Sequence, residues 1–392
     1  MSLRRLLFAS VHGYADPSSG AAWATRDILE LLAARGVDCR VVSTGVLDYE
    51  RETPLDPVLD ALGVPARPAA GACEFALGGV RVAVVRTASS RVERSSDPVE
   101  SRAFLALAER ALDDFRPRVL LTYGGHPANL ALMARARRRG VPVVFHLHNF
   151  AYGDRRCFAD ASAVLVPSEY SRRYYARRLG LDCAAVPLPV VPARAVAPAR
   201  EPRYLTFVNP HPDKGAVVFA RIAAELYARR PDIPLLVVEG RATADGLAGV
   251  RLDLSELRNL HRLPNLSSPR AIYRVTRALL APSLFRESFG RVAAEALCNG
   301  VPVLASDRGA LPETLGDAGF VFTVPERCTP TGDAVPTARE VAPWVATVER
   351  LWDDPGFEAA HRARALAEAR RWGPDALAGR YLAFFESLAR GD

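Results

Sequence analysis

Apolar residues along this chain fall in short continuous runs rather than in strict alternation with polar ones. Leu6-Leu7-Phe8-Ala9 precedes a helical pattern from about Gly20 to Ala34, and Asp38 to Val42 reads as the next strand. Val80 to Val85 leads to a helix from about Pro98 to Phe115. Arg118 to Thr122, a helix through Arg139, Val141 to Leu147 and Ala163 to Val166 follow, and another helix opens at Ser168. Continuous β-rich runs separated by helices predict a parallel sheet covered on both faces. Between Val186 and Pro202 stand Pro187, Pro189, Pro192, Pro198 and Pro202, a stretch that can continue neither a helix nor a central strand and so predicts an interdomain linker. The rhythm then restarts with Tyr204 to Val208, a helix near Ala216 to Arg229, and Pro234 to Glu239. Ala278 to Ala281, a helix near Arg291 to Asn299, Pro302 to Ser306 and Gly319 to Thr323 come next, with closing helices from Glu340, Gly356 and Pro374. The pattern predicts an α/β protein of two Rossmann-like domains, with ligands at the carboxyl ends of the strands.

A length of 392 residues agrees with two domains. The six cysteines are scattered with no CxxC pair, which argues against a disulfide framework or a structural zinc site and for a reducing cytosol. The apolar stretch Leu6 to Val11 is cut by His12, too short for a signal peptide, and no run of apolar residues is long enough to span a bilayer. The expectation is therefore a cytoplasmic protein. The net charge of +7 suits a solvated basic surface, or attraction to an anionic membrane face or to phosphorylated ligands. Nucleic acid is not an expected partner, because neither basic-aromatic interleaving nor zinc-finger or RNP-type spacing occurs. Of the 51 lysines and arginines, Lys214 alone is lysine.

That lysine lies in Asn209-Pro210-His211-Pro212-Asp213-Lys214-Gly215, directly after a predicted strand and before a helix. An ammonium there can put a point charge on a phosphate, with the helix N-terminus adding N–H donors. In a chain that otherwise uses arginine, a retained lysine suggests that its shape matters. The segment is not a Walker A loop. A second candidate runs from Pro282 to Ala296, with Glu287 and Glu295 eight residues apart. Even on one helix they would stand about 12 Å apart along the axis, beyond the roughly 5–9.5 Å of a glycosidase pair. That separation suits two carboxylates gripping opposite ends of an elongated ligand, with the backbone N–H groups around Phe289, Gly290 and Arg291 facing a diphosphate. In Phe145-His146-Leu147-His148, alternation places both histidines on one face. They read as a metal pair lacking a third ligand, as a satisfied strand-end histidine, or as His148 pointing toward a ligand. Pro17-Ser18-Ser19-Gly20-Ala21-Ala22 is a small-residue turn where a backbone could approach a ligand closely. No DxD triplet occurs, which argues against the usual metal-chelated nucleotide-sugar site.

The segment Pro282 to Glu313 (PSLFRESFGRVAAEALCNGVPVLASDRGALPE) resembles the signature of the family 4 retaining glycosyltransferases of the GT-B fold. The resemblance implies two Rossmann-like domains with parallel sheets facing across a cleft. One is an N-terminal acceptor domain over 1–190, joined by a returning C-terminal helix over 374–392; the other is a nucleotide-sugar domain over 203–373. It implies that Glu287 contacts the transferred sugar and Glu295 the nucleotide ribose. It also implies that Lys214-Gly215 binds phosphate, that His148 contacts the sugar, and that Gly20 lies in the glycine-rich turn. Two positions depart from the family pattern: Asn209 stands where an arginine is usual, and Ala21 follows Gly20 in place of a second glycine. Arg241 is a candidate to replace the missing arginine. The expected activity is metal-independent, retaining transfer of a hexose-type sugar from a nucleoside-diphosphate sugar to a hydroxyl acceptor, with no cofactor. The acceptor would be a sugar, a lipid-linked compound or another small molecule, and a lipid-linked one would bring the chain to the inner membrane face. The alternatives are a GT-B nucleotide-sugar epimerase or hydrolase, and a non-catalytic nucleotide-sugar binding protein.

Overall fold

The computed structural model describes residues 3–47, 52–65, 67–69, 72–94, 97–240, 242–243, 247, 250, 252, 254–264, 266 and 268–389. The chain divides into two compact units, Met1–Pro189 with Pro374–Asp392, and Val190–Gly373. Unit 1 contains β1 (Arg5–Ala9), β2 (Asp38–Thr44), β3 (Arg67–Ala69), β4 (Ala72–Leu77), β5 (Val80–Val85), β6 (Val119–Thr122), β7 (Val143–His146), β8 (Ala163–Val166) and β9 (Cys183–Ala185). They form one sheet in the order β3-β4-β5-β2-β1-β6-β7-β8-β9. Strands β5 through β9 of that order are parallel, with Leu6 opposite Cys39 on one side of β1 and Val119 on the other.

One edge departs from the predicted all-parallel sheet. β4 runs antiparallel to both β3 and β5. The cause is local: Gly78 and Gly79, with φ of 57° and 80°, make a two-residue turn between Leu77 and Val80 that only glycine adopts readily. Helices Pro98–Phe115, Pro127–Arg138 and Glu169–Leu179 place Phe104, Leu112, Leu132, Met133 and Tyr175 in one buried cluster with the sheet residues Leu120, Val143 and Phe145.

The final helix, Pro374–Ala389, belongs to unit 1. It buries Leu377, Tyr381 and Phe385 and packs against the helix Gly20–Ala33. Polar contacts fix its register: the Tyr381 hydroxyl donates to the Pro187 carbonyl at 2.9 Å, and the Leu3 amide donates to Glu386 at 3.2 Å.

Unit 2 holds β10 (Tyr204–Val208), β11 (Leu235–Val238), β12 (Leu260–Leu263), β13 (Thr276–Ala281), β14 (Val303–Ser306) and β15 (Phe320–Phe322). Its sheet is parallel throughout, in the order β12-β11-β10-β13-β14-β15. Helices Ala216–Arg229 and Ala338–Asp353 cover one face and bury Phe219, Ile222, Trp344 and Val348. The proline-rich stretch is not a free linker. It contains a short helix, Pro192–Ala195, and Asn299 clamps it by accepting from the Ala197 amide at 2.8 Å and donating to the Ala195 carbonyl at 2.9 Å. Among the described residues no helix is long and apolar enough to cross a membrane.

Because Tyr381 is fully buried, Tyr381→Ala should destabilise unit 1 by about 3 kcal/mol or more, as for other large aromatic truncations. Urea unfolding followed by far-UV circular dichroism should show the loss. An unchanged midpoint would mean that the helix does not contribute to that unit's core.

Candidate functional site

At the carboxyl end of β10 the chain turns sharply at Asn209, which takes the left-handed φ of 61°. Its side-chain oxygen accepts from the Ala242 amide at 3.0 Å, and its own amide donates to the Val238 carbonyl at 2.8 Å. Asn209 therefore braces the loop after β11 and does not present a cation as an arginine would. Arg241 lies outside the described residues. Pro212–Lys214 forms a single 3-10 turn, in which His211 Nδ1 accepts from the Asp213 amide at 3.2 Å. Gly215 follows at φ 84°, and a Cβ there would stand 1.9 Å from the Pro282 carbonyl oxygen. Both the dihedral and the contact exclude a side chain. The Asp213 carbonyl accepts from the amides of Leu284 and Phe285, each at 2.9 Å. The loops after β10 and β13 are thereby stitched together.

This stitching places Lys214 Nζ 2.6 Å from Glu287 Oε1. Ser283 Oγ, in a buried residue, donates to the same oxygen at 2.7 Å. Ser283 is held in turn by the Ser306 hydroxyl, which donates to its carbonyl at 2.7 Å. Glu287 is backed by Gly309, where a Cβ would come within 2.3 Å of the Glu287 backbone, and its carbonyl accepts from the Ala310 amide at 2.8 Å. The Glu287 side chain is 15% exposed, and among the described residues no hydrogen bond reaches its Oε2. One oxygen is thus fixed by the protein while the other is available to a ligand. Sequence reasoning singled out Lys214 and Glu287 separately and passed over Ser283, a common residue whose role depends on a contact across a loop.

Glu295 sits differently. It is 5% exposed on the helix Arg291–Cys298; its Oε1 accepts from Arg291 Nε at 2.7 Å, and its Oε2 lies 3.1 Å from the Tyr273 hydroxyl. Burial, together with the Glu295 carboxylate, pushes the Tyr273 hydroxyl well above its ordinary range, so it remains a donor. Tyr273, twenty-two residues upstream, carried no recognisable signal in the sequence. The helix opens at Gly290, φ 86°, with no side-chain cap on its first amides. The Phe289 side chain is buried edge-on against Trp372 at 5.1 Å, so only its backbone could meet a ligand.

In unit 1, the carboxyl ends of β1, β6 and β7 bring together His12, Tyr123, His146 and His148. Tyr123 stacks on His12 at 5.7 Å and meets His148 edge-on at 5.2 Å, while the two rings of His146 and His148 are 3.9 Å apart. Burial pushes the His148 imidazole down to about 3, and burial together with the neighbouring His148 pushes that of His146 well below its ordinary range, so both are neutral near pH 7. Asn129 ties the loops by accepting from the Val11 amide at 2.8 Å and donating to the Tyr123 carbonyl at 2.8 Å. Gly20 opens the helix Gly20–Ala33 behind the Ser19 cap, and a Cβ there would meet nothing within 4 Å. The tight turn before it is built by Asp16, whose Oδ1 accepts from the amides of Ser18 and Ser19 at 2.7 and 3.1 Å. Among the described residues no three His, Cys, Asp or Glu side chains cluster as metal ligands would.

Comparison with known proteins gives a consistent family. Residues 19–194 match the Glycosyl transferase 4-like domain, and residues 201–335 match Glycosyl transferases group 1. A phosphatidyl-myo-inositol mannosyltransferase of Mycolicibacterium smegmatis is 31% identical over 57% of this chain and 56% of its own length. A D-inositol 3-phosphate glycosyltransferase of Corynebacterium aurimucosum is 33% identical over 36% of this chain and 32% of its own. The matched regions thus span about half or less of these relatives. Among solved structures, sucrose-phosphate synthase from Thermosynechococcus elongatus superposes with a TM-score of 0.70 at 16% identity, covering 99% of this chain and 100% of that one. Anabaena HepE in complex with UDP and glucose superposes with a TM-score of 0.69 at 15% identity, covering 97% and 99%. With two Rossmann-like units, one built around each matched domain, the chain belongs to the family 4 glycosyltransferases and has their GT-B fold.

Proposed function

We propose that this protein is a retaining glycosyltransferase that moves a hexose-type sugar from a nucleoside-diphosphate sugar to a hydroxyl acceptor without a metal ion. The observation that carries the reading is the pairing of Lys214 with Glu287 at the carboxyl end of a parallel sheet, beside an uncapped helix N-terminus. In the transition state the leaving diphosphate gains negative charge while the sugar becomes oxocarbenium-like. Lys214 and the amides at Gly290 and Arg291 would meet the diphosphate, and their stabilisation grows as that charge develops. Glu287 Oε2 would hold sugar hydroxyls, and Glu295 would act on the ribose. His148, kept neutral by burial, would offer an uncharged hydrogen bond to a substrate hydroxyl. The names of the relatives point to an inositol-bearing acceptor, free as a phosphate or within a lipid.

Lys214→Ala should lower kcat/KM by about 2–4 kcal/mol of transition-state stabilisation, and Lys214→Arg should recover only part of it, because a planar fork cannot reproduce a compact charge. Wild-type turnover in the alanine variant would remove the phosphate role.

The ion pair gives a second expectation. Since Glu287 neutralises Lys214 in the free protein, Glu287→Gln should bind a free nucleoside diphosphate at least as tightly as wild type while losing turnover with the sugar donor. Glu295→Gln should weaken the nucleotide itself. Isothermal titration of both variants decides the assignment, and equal losses of nucleotide affinity would refute it.

The sequence has no DxD triplet, and a lysine with a helix terminus supplies cationic character to the diphosphate. EDTA should therefore leave the transfer rate unchanged. Inactivation that magnesium or manganese reverses would overturn the metal-independent reading.

A further inference from the structure

Tyr273 lies on the short helix Pro269–Val275, in a different βα unit from Glu295, and is 1% exposed. Its ring shares a buried cluster with Leu279, Ala293, Leu297 and Val301, and its backbone carbonyl accepts from Arg200 Nε at 3.4 Å. The packing therefore delivers the hydroxyl to one place. It stands 3.0 Å from the Val292 carbonyl oxygen and 3.1 Å from Glu295 Oε2. A phenol has one proton, and an ionised carboxylate and a carbonyl are both acceptors. The two neighbours compete for that proton on unequal terms. The Val292 carbonyl lies in the helix Arg291–Cys298, whose ladder already supplies it with the amide four residues on. The carboxylate has the stronger claim, because a hydrogen bond to an ionised acceptor is roughly twice as strong as a neutral one. With Arg291 Nε on Oε1 at 2.7 Å, Glu295 is then held at both oxygens.

We propose that Tyr273 is a positioning residue through which the site accepts a ribose hydroxyl: its proton holds Glu295 Oε2 in the free protein and swings to the Val292 carbonyl when a ribose hydroxyl donates to that oxygen. The phenol oxygen does not have to move, because both acceptors are already within hydrogen-bond distance of it. Burial keeps the phenol protonated, so it is a donor in either position. A buried carboxylate deprived of a donor is costly, and so is a phenol proton with no acceptor. The exchange avoids both costs. A deoxyribose brings no proton, so with it the phenol stays on Glu295. The proposal rests on the ribose role given to Glu295 above, whereas the paired acceptors around the hydroxyl do not.

Removing the phenol oxygen alone has unequal consequences for two ligands. In Tyr273→Phe a ribose hydroxyl still supplies a donor to Glu295 Oε2. A deoxyribose in the same place covers that oxygen while neither the phenol nor the ribose donates to it. Discrimination against the deoxy ligand should therefore grow when the tyrosine hydroxyl is lost. A purely structural role makes a different prediction. If the hydroxyl only braced the helix Arg291–Cys298, its loss would weaken every nucleotide by the same factor and leave the ratio of affinities where it was.

The test is isothermal titration of the full chain with GDP, UDP and ADP, and then with the deoxy forms of the tightest binder, each lacking one ribose hydroxyl. Wild type should bind at least one deoxy form about tenfold more weakly, the worth of a hydrogen bond to a charged group. Tyr273→Phe should weaken that deoxy form about tenfold more than it weakens the ribonucleotide, so that the ratio widens. Tyr273→Met, which fills the space with a flexible side chain and has no donor, should widen the ratio in the same direction. Circular dichroism melting verifies that each variant is folded. An unchanged or narrower ratio in a folded variant, with wild type still discriminating, would overturn the proposal and leave Glu295 its ribose role. Equal binding of the ribonucleotide and its deoxy forms by wild type, or no binding of any of the three nucleotides, would instead remove that role and the proposal with it. The two failures are thus separate results.

Discussion

The close approach of two loops in unit 2 governs the candidate site. Gly215 has no room for a Cβ against the Pro282 carbonyl, and the Asp213 carbonyl accepts two amides, those of Leu284 and Phe285. Neither loop could take this position alone, because each satisfies the other's backbone polar groups. The 2.6 Å contact of Lys214 with Glu287 is a consequence of that approach and does not arise from sequence proximity. Any residue other than glycine at 215 would cost backbone strain of about 1–3 kcal/mol before the clash is counted, and would part the two charged groups.

The two glutamates of the same segment have taken on opposite characters. Glu287, in a loop and 15% exposed, has one oxygen, Oε1, fixed by Lys214 and Ser283. Glu295, within a helix and nearly buried, is committed to Arg291 and Tyr273. A buried carboxylate without such partners would be costly, so part of its role is to support the helix that aims amides at the site. In unit 1 the same logic appears with neutral groups. His146 and His148, at the carboxyl end of β7, stay uncharged, and Asn129 satisfies a nearby loop amide and carbonyl.

Much of this was legible in the amino-acid order. The strand runs Val80–Val85, Ala163–Val166 and Tyr204–Val208, and the helices Pro98–Phe115 and Ala216–Arg229, stand where their apolar patterns put them. Short buried strands and amphipathic helices are local matters of side-chain periodicity, which one chain can specify over ten residues. The antiparallel edge made by the Gly78-Gly79 turn was not among the elements read from the pattern, which predicted a parallel sheet. The solitary lysine, the two glutamates and the proline-rich break were visible, and with them the family signature.

The pairings belong to the tertiary structure. Ser283 with Glu287 and Arg291 with Glu295 are local pairs four residues apart, whereas the contacts of Lys214 with Glu287, of Tyr273 with Glu295 and of Asn209 with Ala242 all join residues from different βα units. So does the clamp of Asn299 on the segment read as a linker, where proline predicted only that regular structure would stop. The reason is physical. Periodicity and turn chemistry act over one to four residues, whereas a hydrogen bond between side chains seventy positions apart exists only once sheet order and strand register have brought the loops together. The sequence by itself determined which elements form and which chemical groups are available; the order of the strands decided which of those groups touch.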